Sequence, residues 1–130
     1  MAVDKTIRIL VVDDQDAALE LMRDFLRQFG FRNIEMANSA ITALQKLREF
    51  KGDVGLILSD WNMHSVSGLQ LLQAIRKEPG YDKTPFIMIT GEASRDRIEA
   101  ALKAGVTSYI AKPFSLDALK KRLVGILGEF

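Results

Sequence analysis

Five residues far apart in this chain share one local setting. Asp13 and Asp14 follow the apolar run Ile9 to Val12, and Asp60 follows Leu56-Ile57-Leu58-Ser59. Thr90 closes Phe86-Ile87-Met88-Ile89, and Lys112, itself followed by Pro113, comes after Tyr109-Ile110-Ala111. Carboxylates gathered in one place repel one another, and their pKa values rise unless cations offset them. Lys112 supplies one positive charge. A hard divalent cation would complete the balance, and an oxygen-only donor set with water positions left over suits Mg²⁺. An aspartate in this setting can attack a phosphoryl group and form an aspartyl phosphate. Mg²⁺, the Lys112 ammonium and the Thr90 hydroxyl would neutralise the equatorial oxygens of the transferring group. A carboxylate is already ionised at neutral pH, so the attack needs no general base, and no histidine is expected at these run ends.

Each residue alone has a plainer reading. An aspartate after a strand is commonly a turn or cap residue, and Asp16 is expected to cap the helix that follows it. Thr90 alone would be a strand-end residue satisfying the backbone, and Lys112 alone a solvated surface lysine. The argument lies in their convergence, which requires elements that bring the five together.

Those elements can be read from the alternation of short apolar runs with longer amphipathic ones. Ile7 to Val12, Asn33 to Ala37, Val54 to Ser59, Phe86 to Thr90 and Thr107 to Ala111 read as strands. Between them, Asp16 to Phe29 repeats apolar residues at helical spacing (Leu19, Leu21, Met22, Phe25, Leu26, Phe29), with Gly30 at the C-terminal stop. Ser39 caps a helix with Ile41, Leu44, Leu47 and Phe50. Gly68 opens one with Leu69, Leu71, Leu72 and Ile75, stopped by Pro79-Gly80. Ser94 caps a helix with Ile98, Ala101 and Leu102, and Ser115 caps the last, with Leu116, Leu119, Leu123 and Ile126. Strands that alternate with helices predict an α/β fold, a five-stranded parallel sheet flanked by five helices, because parallel strands need crossovers. Ligands in such sheets bind beyond the carboxyl ends of the strands. All five residues are expected there.

Composition sets the remaining bounds. The 130 residues carry a net charge of +1 and no cysteine, which excludes disulfides and thiolate metal sites and demands no nucleic-acid partner. No run approaches the roughly 20 apolar residues of a membrane span, and no signal-peptide pattern opens the chain. A single cytoplasmic domain over 1–130 is expected.

The segments VVDD at 11–14, SDWNM at 59–63, MITGEA at 88–93 and KPF at 112–114 together resemble the bacterial response-regulator receivers, in particular the single-domain chemotaxis type. The resemblance covers essentially the whole chain and implies strand order 2-1-3-4-5. It makes Asp60 the phosphoacceptor. Asp14, Asp60 and the backbone carbonyl of Asn62 become Mg²⁺ ligands, with Asp13 acting through water. Lys112 would pair with the phosphoryl oxygens across a cis bond to Pro113. Thr90 would move to the phosphoryl group and draw Tyr109 inward, reshaping a partner face to which Tyr109 and Phe114 are assigned. Gly91 leaves room for the donor. Asn62 and Glu92 stand at the positions that tune phosphoryl lifetime, and this pair implies a signal lasting minutes or less.

The implied partners are a sensor histidine kinase and a downstream protein, either the flagellar motor or another relay protein, with the chain a monomer that promotes its own dephosphorylation. Two departures from the family pattern stand out. His64 replaces a usual proline, and Ser67 replaces a common acid, so the loop after Asp60 is expected to be loosely held. Trp61 is a natural reporter of the site. A haloacid-dehalogenase-type phosphatase would need a further acidic strand end after Lys112, where only Asp117 and Glu129 occur in the last helical stretch. A receiver reduced to a passive binding module would have lost one of the five residues. A DNA-binding regulator would need a helix-turn-helix.

Overall fold

The computed structural model describes residues 3–130. Five strands, β1 (Arg8–Val12), β2 (Asn33–Ala37), β3 (Leu56–Asp60), β4 (Phe86–Thr90) and β5 (Ser108–Ala111), alternate with five helices. The helices are α1 (Asp16–Gln28), α2 (Ala40–Phe50), α3 (Gly68–Lys77), α4 (Arg95–Lys103) and α5 (Leu116–Leu127). Every strand pair is parallel and the order is β2-β1-β3-β4-β5. The predicted fold and strand order are therefore the observed ones.

Strands buried on both faces explain why the central runs are continuously apolar. Ile9, Val11, Leu56, Leu58, Ile87 and Ile89 point to one side, against Leu19, Met22 and Leu26 of α1 and Leu119 and Leu123 of α5. Leu10, Val12, Ile57, Phe86 and Met88 point to the other, against Ala43 and Leu47 of α2, Leu71, Leu72 and Ile75 of α3, and Ala101 of α4. The register pairs Val12 with Ser59 and Asp60 with Ile89, so the carboxyl ends of β1, β3 and β4 finish side by side.

Several local expectations change. Asp16 is the first residue of α1 rather than its cap; Gln15 occupies the cap position with no side-chain hydrogen bond, and Asp13 Oδ1 instead accepts from Gln15 N at 3.0 Å. Asp16 still places negative charge in the first turn, where the helix dipole favours it. Leu21, Ile41 and Leu102, read as core-facing, are 51%, 67% and 58% exposed. Neighbouring small residues take the inward positions in α2 and α4, namely Ala40 and Ala43 in the former and Ala101 in the latter. Ser39, Ser94 and Ser115 do cap α2, α4 and α5 through their side chains.

Candidate functional site

Asp13, one residue beyond β1, is held by its own backbone, its N–H donating to Ala37 O at 3.1 Å, and its side chain is buried. Asp60 is the last residue of β3 and is also buried. Lys112 follows β5, and its N–H donates to Thr90 O at 2.7 Å, so the sheet ladder runs directly into the site. Carboxylate oxygens of Asp13, Asp14 and Asp60 all lie within 4.8 Å of one another. Lys112 Nζ is 2.9 Å from Asp60 Oδ1 and 3.6 Å from Asp13 Oδ2. The Lys112–Pro113 bond is cis. The residues singled out from the run ends thus share one edge of the sheet.

The electrostatics follow from that packing. Burial pushes the Asp13 carboxyl above the usual aspartate range, and the charges of Asp60 and Asp14 add to the rise. The Gln15 N–H and Lys112 oppose it without cancelling it. Burial alone would lower the Lys112 ammonium, but the hydrogen bond to Asp60 and the charges of Asp60 and Asp13 outweigh it and carry its pKa above that of an ordinary lysine. Three acids against one ammonium leave uncompensated negative charge in a half-closed site. An all-oxygen donor set in that condition fits a hard divalent cation such as Mg²⁺.

The loop after β3 is tied to the strand end and to α3 by hydrogen bonds. Gly68 N donates to Trp61 O at 2.8 Å, folding the loop back onto the end of β3. Only glycine fits there, because a Cβ would stand 2.3 Å from Asp60 O and 2.9 Å from Met88 Sδ. Ser67, the other departure, forms a capping box with Gln70: its hydroxyl accepts from Gln70 N at 3.2 Å and its N–H donates to Gln70 Oε1 at 2.9 Å. His64 approaches Asp14, with Nδ1 at 2.6 Å and the backbone N donating at 3.1 Å, both to Oδ2. The strand ends themselves carry no histidine, yet an imidazole reaches the acids. The histidine comes from a loop, where strand-end reasoning has no purchase.

Thr90 is buried and fully committed. Its hydroxyl donates to Glu92 O at 2.9 Å and accepts from Glu92 N at 3.0 Å and from Arg97 Nη1 at 3.3 Å. Arg97 went unnoticed in the sequence, although its place in the first turn of α4, seven residues after Thr90, aims it at the same edge. Gly91 borders open space, since nothing lies within 4 Å of where a Cβ would be.

Tyr109 and Phe114 pack into different sides of the core. Tyr109 packs on the side of α2, α3 and α4, beneath the Arg122 guanidinium at 5.4 Å. Phe114 packs on the side of α1 and α5, edge-on to Phe25 with centroids 6.1 Å apart. It lines an apolar cleft of about 360 Å³, with Leu21, Met22 and Pro113, that opens beside Asp13 and Lys112. Alternation along β5 and the turn after it decide this split between the two sides of the core.

A parallel sheet in the order 2-1-3-4-5, with acids and a lysine at its carboxyl edge, defines a class as well as a geometry. Residues 9–124 match the family model described as "Response regulator receiver domain", and the chain belongs to that family, the receiving side of two-component phosphorelay signalling. It is 40% identical over 120 residues to chemotaxis protein CheY-3 of Vibrio cholerae, covering 92% of this chain and 91% of that protein. Against chemotaxis protein CheY of Pseudomonas aeruginosa it is 37% identical over 117 residues, covering 90% and 93%. Among solved structures it resembles V. cholerae CheY4, with a TM-score of 0.87, 29% identity and coverage of 94% and 99%. It also resembles the receiver domain of the P. aeruginosa sensor histidine kinase PA1611, solved with a magnesium ion in its active-site cleft (TM-score 0.83, 26% identity, coverage 95% and 99%).

Proposed function

We propose that this chain takes a phosphoryl group onto Asp60 in a Mg²⁺-dependent step, switches a partner-binding surface and then loses the group, within a chemotaxis- or motility-type relay. The observation that carries the reading is the convergence of the Asp13, Asp14 and Asp60 carboxylates within 4.8 Å, with Lys112 Nζ 2.9 Å from Asp60. With a sensor histidine kinase as donor, an Asp60 carboxylate oxygen attacks the phosphorus of a phosphohistidine. The acyl-phosphate O–P bond forms as the P–N bond breaks, and the released imidazole takes a proton from solvent. Asp13, Asp14, Asp60 and the Asn62 carbonyl would hold Mg²⁺, which when bound neutralises the acids and the phosphoryl oxygens.

Lys112 shifts from its carboxylate partners to the phosphoryl oxygens, and Thr90 gives up Glu92 O to donate to a third. Tyr109 and Thr90 border a gap of only about 10 Å³, too small for a ring, so Tyr109 can move inward only as Thr90 leaves. Asn62 and Glu92 flank the route of the hydrolytic water and set the lifetime, minutes or less. A single cytoplasmic receiver over 1–130, acting as a monomer on the flagellar motor or another relay protein, is the setting proposed. The CheY relatives and the lack, among the described residues, of any helix long and apolar enough to cross a membrane support it.

Trp61 tests this directly, because it adjoins Asp60 and is 9% exposed. Adding Mg²⁺ and then beryllofluoride or acetyl phosphate should change its emission, and Asp60→Asn should remove the second change. Silence on both additions would leave a passive binding module.

A further inference from the structure

The guanidinium of Arg97 joins the two loops that frame Asp60. It lies over the Trp61 ring, 5.0 Å from the centroid. Nη2 donates to Asn62 Oδ1 at 3.4 Å and is 3.5 Å from Glu92 Oε2, and Nη1 donates to Thr90 Oγ1 at 3.3 Å. One planar cation thereby spans the loop after β3 and the loop after β4. Its side chain is only 25% exposed, so water does not compete freely for these contacts.

We propose that Arg97 is a positioning residue, a latch that restrains the Thr90 hydroxyl in the unmodified protein and so sets how readily Asp60 becomes modified. The inference rests on the phosphoacceptor reading of Asp60.

The argument starts from what a hydroxyl can do. Thr90 Oγ has one proton and two lone pairs. The proton goes to Glu92 O, and the lone pairs take Glu92 N–H and Arg97 Nη1–H. A phosphoryl oxygen can take only that proton, so the hydroxyl must leave Glu92 O, and moving toward Asp60 to do so also breaks the bond from Arg97 Nη1. Arg97 does not follow it, because the Trp61 face, Asn62 and Glu92 hold the guanidinium where it is. Each part of the arrangement needs arginine. A lysine ammonium is a point charge, without the planar fork that bonds two loops while stacking on an indole. Restraint of this kind lowers the population of the binding-competent state and weakens apparent affinity by that fraction.

The competing account is that Arg97 merely covers Trp61, and a double-mutant cycle separates the two. Half-saturating beryllofluoride would be measured by calorimetry on the full chain at saturating Mg²⁺, for wild type, Arg97→Ala, Thr90→Val and the double variant. Calorimetry avoids the Trp61 signal, which losing Arg97 would itself alter. Arg97→Ala should lower the half-saturating concentration about threefold, the weight of one long, weak hydrogen bond. The same substitution should do nothing in the Thr90→Val background, and half-saturating Mg²⁺ should stay at its wild-type value in Arg97→Ala. Should Arg97→Ala fold poorly, Arg97→Lys keeps the charge and much of the stem, and is expected to shift in the same direction. No shift, or an equal shift with and without the Thr90 hydroxyl, overturns the latch alone. A wild-type protein that takes up no beryllofluoride overturns the acceptor reading, and the latch with it.

Discussion

Replacing Asp13 by Asn should make the metal-free protein more stable, although it removes one partner of a buried ion pair. Asp13 faces two carboxylates, those of Asp14 and Asp60, with oxygens within 4.8 Å. At an effective dielectric of about 20, each such pair at 4.8 Å contributes about 3.5 kcal/mol of repulsion. Lys112 Nζ, 3.6 Å from Asp13 Oδ2, returns about 4.6 kcal/mol on the same scale. The balance against the ionised carboxylate is about 2 kcal/mol, with the partial exposure of Asp14 and Lys112 softening both terms. Asn keeps an Oδ1 for the Gln15 N–H, so the turn into α1 survives the change. For a domain of this size, about 2 kcal/mol is a rise of roughly 6 to 10 °C in Tm, read by calorimetry in EDTA.

The pH dependence fixes the sign independently. Asp13 has its folded pKa raised, so its cost is fully present above that pKa and disappears as pH falls below the unfolded value. The gap between Asp13→Asn and wild type should therefore be widest near neutrality and close on acidification. Saturating Mg²⁺ should stabilise wild type by about 2.7 kcal/mol at a hundredfold excess over Kd, and the variant by less. An Asp13→Asn protein that melts below wild type in EDTA would refute this electrostatic reasoning.

His64→Ala should tighten Mg²⁺ binding, because it frees Asp14 Oδ2 from the imidazole at 2.6 Å. The imidazole is 91% exposed, so the gain should be small, roughly two- to fivefold in a titration followed by Trp61 emission. Weaker binding would mean that His64 orients Asp14 rather than competing for it. Gly68→Ala should cost about 1–3 kcal/mol in urea denaturation, since its methyl would collide with the backbone of Asp60. An unchanged midpoint would show that the loop after β3 has room to move. The phosphorylated form should decay within minutes after removal of the donor, and survival for hours would contradict the roles given to Asn62 and Glu92.

The sheet was legible because its signals are local. Continuous apolar runs such as Ile9–Val12 and Leu56–Leu58 are what strands buried on both faces require, and serines 39, 94 and 115 cap helices through their own side chains. Once the strands are parallel, Asp13, Asp60, Thr90 and Lys112 must share an edge, so that part of the site followed from topology. Long side chains arriving from elsewhere did not. His64 reaches Asp14 from a loop, and Arg97 reaches Thr90 and Asn62 from the first turn of α4. Neither placement is written in periodicity. Helical spacing also could not tell which of Ile41 and Ala40 turns inward, because several apolar residues occupy more of the α2 surface than the sheet can cover. Phe114 and Tyr109 were assigned to one partner face by the family resemblance, and periodicity did not show that they pack on opposite sides of the core.

Incubating the protein with acetyl phosphate and mapping the modified residue by mass spectrometry tests the central claim most directly. One phosphoryl group should appear on the peptide carrying Asp60, only when Mg²⁺ is present, and should vanish in Asp60→Asn. Modification independent of Mg²⁺, or a phosphoryl group on another residue with Asp60 untouched, would contradict the account.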